Sequence, residues 1–325
     1  MLLAILAILA GFGFLVWGAD KFVLGASATA SNLGVSPLII GLTIVGFGTS
    51  APEMLVSYMA ALNGNPELAV GNAIGSNITN TGLVLGITAI IVPLTVKSSI
   101  LKREYPIMFA VMLLAWYLLA DNSLQYMDGI ILVSAMFLVL GLITLLGIRD
   151  QKNTEDPLNT EFNEEIPTDI STKMALFWLF IGILILLASS KMLVWGAVYI
   201  AHDFGISDLI IGLTVVAIGT SLPELAASIA SALKGEHEIA IGNIIGSNMF
   251  NLLGVLGIPA LLSPINELSE TVLSRDYPIM IGLSILLFIF AYGFKGKGQI
   301  NRIEGSVLLI AYIIYIYLIY LSIHT

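Results

Sequence analysis

The chain of 325 residues contains no cysteine. Disulfides and thiolate metal sites are thereby excluded. It has three histidines, His202, His237 and His324, all in predicted loops or at the tail. An intramembrane zinc, iron or haem site is not expected from so few. Charge is scarce too: 11% of residues are charged and 58% hydrophobic. A soluble globular domain carries about 25% charged residues, so that class is excluded. No basic stretch precedes the first apolar run, which continues into Asp20 and Lys21; it reads as a retained helix, not a cleaved signal. The net charge of -9 comes largely from one polar segment and says little about partners.

What the chain does have is apolar runs long enough to cross a bilayer. Ten spans are predicted, at about 2–30, 36–62, 68–92, 105–120, 128–148, 174–202, 207–233, 239–262, 277–294 and 303–322. The expected fold class is an all-α membrane protein. The one sizeable polar segment, 149–173, is rich in Asp, Glu and Pro. It reads as a solvated linker between two halves.

Inside the apolar runs a motif occurs twice. Gly48-Thr49-Ser50-Ala51-Pro52-Glu53 returns as Gly219-Thr220-Ser221-Leu222-Pro223-Glu224. Gly71-Asn72-Ala73-Ile74-Gly75-Ser76-Asn77-Ile78-Thr79-Asn80 returns as Gly242-Asn243-Ile244-Ile245-Gly246-Ser247-Asn248-Met249-Phe250-Asn251. The offset is 171 throughout, and about 26 of the 47 positions from Gly41 to Ile87 are identical to Gly212–Ile258 by direct count. Two further echoes extend the match: Arg103-Glu104-Tyr105-Pro106 with Arg275-Asp276-Tyr277-Pro278, and Gly34-Val35-Ser36 with Gly205-Ile206-Ser207. A five-span unit, 1–148, is therefore used again at 174–325. Five is odd, so the second copy enters the membrane from the opposite face. That makes two inverted five-helix repeats, the scaffold of many secondary transporters.

Loops opposite the termini carry Lys97, Lys102, Arg103, Arg149, Lys152, Lys173, Lys234, Lys295, Lys297 and Arg302; loops on the terminal side carry only Arg275. Positive-inside bias places both termini outside the cytoplasm. Lys21 and Lys191, near the first and sixth spans, are expected to snorkel.

Pro52 and Pro223 lack an N–H, so the carbonyls four residues back, at Gly48 and Gly219, lose their helical partners. Kinked central helices follow. Thr49 and Ser50 share a face with Glu53, while Ser76 with Asn80 and Ser247 with Asn251 form stripes that Asn72 and Asn243 extend. If these helices cross, the cavity between them is lined by oxygen ligands and amides, with Glu53 and Glu224 as its anionic members. That set suits a hard cation such as calcium or sodium. Gly71, Gly75, Gly82 and Gly86 alone read as a helix-packing surface, but an ionisable Glu at mid-membrane reads as functional.

These motifs resemble the two alpha repeats of the sodium/calcium exchangers, and most closely the prokaryotic ten-helix members. The resemblance covers essentially the whole chain. It implies that Glu53 and Glu224 bind calcium and sodium, with oxygens from Thr49, Ser50, Thr220, Ser221, Ser76, Asn80, Ser247 and Asn251. It also implies backbone carbonyls at Gly46 and Ala217 as sodium ligands. One position departs: the family pattern resembles Asn in the first repeat and Asp in the second, whereas this chain has Asn80 and Asn251. An acid at the Asn80 position would be expected of a potassium-dependent exchanger, so that subtype is disfavoured. The implied function is calcium-for-sodium antiport by alternating access at the cell membrane, with proton/calcium antiport as the alternative. The implied partners are calcium and sodium ions and the lipid bilayer, with no cofactor, no nucleic acid and no required oligomer. A channel would need a continuous pore, typically around a multi-subunit axis. An intramembrane enzyme would need a nucleophile with a base, a metal site or paired aspartates, none of which the spans supply.

Overall fold

The computed structural model describes residues 2–35, 37–62, 64, 66–153, 170–203, 217–292 and 298–324. Most of the linker, the first part of the predicted seventh span, the Gly205-Ile206-Ser207 echo and Lys295 with Lys297 lie outside the described residues.

Ten helical rods run through the described residues. They are Leu2–Leu33, the broken pair Leu38–Thr49 with Ala51–Leu62, Ala69–Ile91, Glu104–Leu119, Tyr126–Asn153, Thr172–Asp203, Leu222–Leu233, His237–Leu262, Val272–Tyr292 and Arg302–His324. We number them spans 1 to 10. Eight are long and apolar enough to cross a membrane if the broken pair is one span. Span 4 is a 16-residue helix. Span 7 continues from the short helix Ala217–Thr220. Large apolar side chains such as Phe137, Leu138 and Phe180 face outward, while Glu53, Asn80, Glu224 and Asn251 are buried. Polar groups inside and apolar groups outside are what a bilayer demands.

The kinks appear as breaks at matching serines. Ser50 (φ -79, ψ 3) and Ser221 (φ -87, ψ 5) both leave helical geometry for the sparsely populated region near ψ = 0. Span 2 bends there by 42°. Pro52 and Pro223 then sit in the first turn of the restarted helices, where a missing N–H costs nothing. A second pair of irregularities was not expected. Spans 3 and 8 each pass through a π-helical turn, Asn80–Val84 and Asn251–Val255. The Leu85 and Leu256 N–H groups bond back five residues, to Asn80 and Asn251. Single π turns inside α-helices concentrate at functional sites, and these two start on the repeated asparagines.

Glycines let three helix pairs touch backbone to backbone. A Cβ at Gly25 or Gly182 would run into the main chain of Leu179 or Phe22, joining spans 1 and 6. Gly41 and Gly46 of span 2 meet Gly242 and Gly246 of span 8. Those glycines are five apart in span 2 and four apart in span 8. The π turn Gly41–Val45 absorbs the extra residue, so one turn still separates them. Gly82 and Gly86 of span 3 pack on Tyr312 and Gly305 of span 10, as their stripe predicts. The other two members, Gly71 and Gly75, meet nothing within 4 Å among the described residues.

Loop contacts sort into two sets. Leu94 and Thr95 pair with Ile300 and Gln299 in a short antiparallel ladder, joining loops 3–4 and 9–10. Lys97 forms an ion pair with Glu238 at the start of span 8. Asn32 Nδ2 donates to the Ile170 carbonyl at 2.8 Å, tying the end of span 1 to the linker. On the other face, Leu124 bridges Ile265, and the Leu268 N–H bonds the Asn122 carbonyl at 2.7 Å, joining loops 4–5 and 8–9. Odd-numbered loops meet odd and even meet even, as an inverted pair of five-helix repeats requires. Lys21 pairs with Asp20 at 3.3 Å and lies 5.6 Å over the Trp178 ring; Lys191 is exposed.

Candidate cation site

Glu53 and Glu224 are fully buried, each in the first turn of a helix that restarts after a serine break. The break therefore sets a helix N-terminus, with its partial positive charge, beside each carboxyl group. The serines reach across the repeat axis. Ser50 Oγ lies 3.4 Å from Glu224 Oε1, and Ser221 Oγ lies 3.5 Å from Glu53 Oε1. Each half thus supplies a hydroxyl to the carboxylate of the other.

Spans 3 and 8 hold the glutamates from behind. Asn72 Nδ2 donates to the Glu53 carbonyl and to Ser57 Oγ, both at 3.1 Å. Asn243 Nδ2 does the same to the Glu224 carbonyl at 3.3 Å and Ser228 Oγ at 3.1 Å. Ser247 Oγ stands 3.4 Å from Glu224 Oε1 and 3.3 Å from the Gly46 carbonyl. Thr49 Oγ1 lies 2.9 Å from Asn243 Oδ1 and 3.3 Å from Ser247 Oγ. Thr220, next to Ser221 in the chain, is buried as Thr49 is.

Five buried side-chain oxygens of the residues singled out have no partner among the described residues: Glu53 Oε2, Glu224 Oε2, Ser76 Oγ, Asn80 Oδ1 and Asn251 Oδ1. They come from both repeats, and two are carboxylate oxygens. Burying a polar oxygen unpaired costs about 1–3 kcal/mol, and a charged one more. A cation is the ligand that compensates such a set. The donors are all oxygen, which matches a hard ion.

Of the residues singled out in the sequence, Glu53, Glu224, Thr49, Ser50, Thr220, Ser221, Ser76, Asn80, Ser247, Asn251 and Gly46 are all buried. The Gly46 carbonyl accepts the Ser50 N–H at 3.1 Å and also lies 3.3 Å from Ser247 Oγ and 3.4 Å from Thr49 Oγ1. Ala217 is the first residue of its short helix, at the edge of the described residues. Four roles were not read from the sequence: Ser57 and Ser228, which brace Asn72 and Asn243, and Asn77 and Asn248, described further below. All four recur at the repeat offset inside the motif region. That recurrence was the available signal.

The chain matches the family described as Sodium/calcium exchanger protein over residues 3–145 and 174–321. It is 41% identical to the inner membrane protein YrbG of Escherichia coli over 320 residues, covering 98% of each chain. It is 31% identical to the sodium/calcium exchanger MaX1 of Methanosarcina acetivorans, covering 97% of this chain and 98% of the relative. The solved structure of the sodium-calcium exchanger NCX_Mj soaked with sodium and strontium superposes with a TM-score of 0.81 at 34% identity, covering 97% of this chain and 98% of the other. The burial of paired glutamates at crossed repeats, the match along both halves and the shared fold lead to one assignment: the chain belongs to the sodium/calcium exchanger family, membrane antiporters of calcium and a second cation.

Proposed function

We propose that the protein exchanges calcium for sodium across the cell membrane by alternating access, using repeats 1–148 and 174–325 joined by the linker 149–173. The observation that carries this reading is the set of five buried oxygens, two of them on Glu53 and Glu224, that have no partner among the described residues. Two carboxylates supply two negative charges, which one calcium or two sodium ions neutralise. Hydroxyls of Thr49, Ser50, Thr220, Ser221, Ser76 and Ser247, amide oxygens of Asn80 and Asn251, and carbonyls at Gly46 and Ala217 complete the ligand set. A site occupied by cations is close to neutral and crosses the dry path between faces cheaply. With both glutamates bare, the same movement carries two charges through low dielectric. Return without a cation is therefore suppressed, and transport becomes exchange.

Sodium is favoured over the proton as counter-ion because a proton needs only a carboxylate. The hydroxyl and carbonyl oxygens around the glutamates are ligands that a sodium ion can use and a carboxylate-bound proton does not need. The test is calcium efflux from vesicles holding the purified protein, with external sodium against choline and the pH gradient collapsed. Efflux should follow sodium and should fall at low pH as the glutamates are neutralised. Efflux that ignores sodium and follows an imposed proton gradient would replace this reading with proton/calcium antiport.

Orientation follows from the Lys and Arg asymmetry between loops. Both termini and the loop holding Asn266 face outside, and the loop holding Gln299 faces the cytoplasm. The native chain has no cysteine, so single cysteines report cleanly. Asn266→Cys should react with an impermeant maleimide in intact cells, and Gln299→Cys only after the membrane is opened. The reverse pattern would invert the topology.

A further inference from the structure

Spans 3 and 8 cross through four asparagines, two from each repeat. Asn80 Nδ2 donates to Asn248 Oδ1 at 3.3 Å, and Asn251 Nδ2 donates to Asn77 Oδ1 at 3.1 Å. The partners are themselves held. Asn248 Nδ2 donates to Thr81 Oγ1 at 3.1 Å, and Asn77 Nδ2 donates to the Asn248 carbonyl at 3.1 Å. All four side chains are buried, and Asn80 Oδ1 and Asn251 Oδ1 have no partner among the described residues.

An amide has two unlike ends. Its oxygen attracts a cation and its NH2 repels one, yet a half-turn about the last torsion exchanges them. Nothing in the shape of Asn80 or Asn251 selects an end. The selection comes from the neighbour, because an Oδ1 whose own NH2 is already bonded elsewhere accepts only a donor. We propose that Asn77 and Asn248 are positioning residues that set this polarity. Each draws the NH2 of Asn251 or Asn80 to itself and leaves the carbonyl oxygen for the ion. The arrangement occurs twice, once per repeat, with donor and acceptor in opposite halves. The proposal rests on the reading that Asn80 and Asn251 border the ion path. It also gives the neutral pair a requirement that a carboxylate would not have, since both ends of a carboxylate are oxygen.

That difference provides the test. Calcium binding to the purified full-length protein is measured by titration calorimetry with calcium chloride. Asn77→Leu is made in the parent and again in an Asn251→Asp background. In the parent, loss of the orienting bond should weaken calcium binding about tenfold. In the Asn251→Asp background the same change should cost less than about twofold, since the two effects are coupled. An equal loss in both backgrounds, or none in the parent, overturns the proposal and makes Asn77 a structural residue. If Asn77→Leu does not fold, Asn77→Ser takes its place; failure of both in both backgrounds has the same meaning. The site reading fails separately: calcium affinity would then be unchanged by Asn251→Asp and by Asn251→Leu alike.

Discussion

Glu53→Gln and Glu224→Gln should each abolish calcium transport while leaving the protein folded. Glutamine keeps the volume and one oxygen but removes half of the charge that offsets calcium desolvation. Loss of one partner from a buried charge pair costs about 3–5 kcal/mol, or roughly a hundredfold or more in affinity. The ion-free protein should not suffer, because the change removes one of two like charges buried in the same cluster. The expected result is therefore a split. In chelator the thermal midpoint stays level or rises, and the stabilisation that calcium gives the parent disappears. Glu67→Gln and Glu238→Gln serve as controls. Glu67 is exposed, and Glu238 pairs with Lys97 near the membrane surface, away from the cluster. Both should transport almost normally. Near-parental calcium flux in either Glu53→Gln or Glu224→Gln would remove that residue from the site.

The second large effect is steric. Gly246→Ala should destabilise the protein sharply, although it adds a single methyl group. That methyl would meet the Leu42 carbonyl oxygen and lie 2.9 Å from the Leu42 carbonyl carbon. Both are main-chain atoms of span 2, so no side-chain rotation relieves the overlap. Spans 2 and 8 would have to separate, and Ser247, next in sequence, would leave Gly46 and Glu224. Overpacking of this kind costs about 1–3 kcal/mol and sometimes more. Gly141→Ala is the comparison: a Cβ there meets nothing within 4 Å among the described residues. It should be neutral or slightly stabilising, since alanine favours helix by about 1 kcal/mol over glycine. Equal thermal midpoints for the two variants would mean that spans 2 and 8 do not approach so closely.

The two glycines look alike in the sequence, each inside an apolar helical run. The structure separates them by what lies opposite. Gly71 and Gly75 make the same point against Gly82 and Gly86, since one stripe was expected and only half of it meets a described neighbour within 4 Å.

Other features were legible because they are costly in a bilayer. A carboxylate and a proline within an apolar run are each expensive, and their return at a fixed offset has no bland explanation. The ten spans come from the length of the apolar runs; from the repeated pattern come the inverted repeats and the breaks near Pro52 and Pro223. These follow from local rules of span length, helix breaking and parity, which need no knowledge of neighbours. Tertiary structure alone decided the rest. It crossed Ser50 to Glu224 and Ser221 to Glu53, set π turns at Asn80 and Asn251, and turned the NH2 groups of those asparagines toward Asn248 and Asn77. Such choices depend on which donor stands opposite which acceptor when two helices meet. Spacing along one helix carries the face of a side chain, but not the partner that waits there.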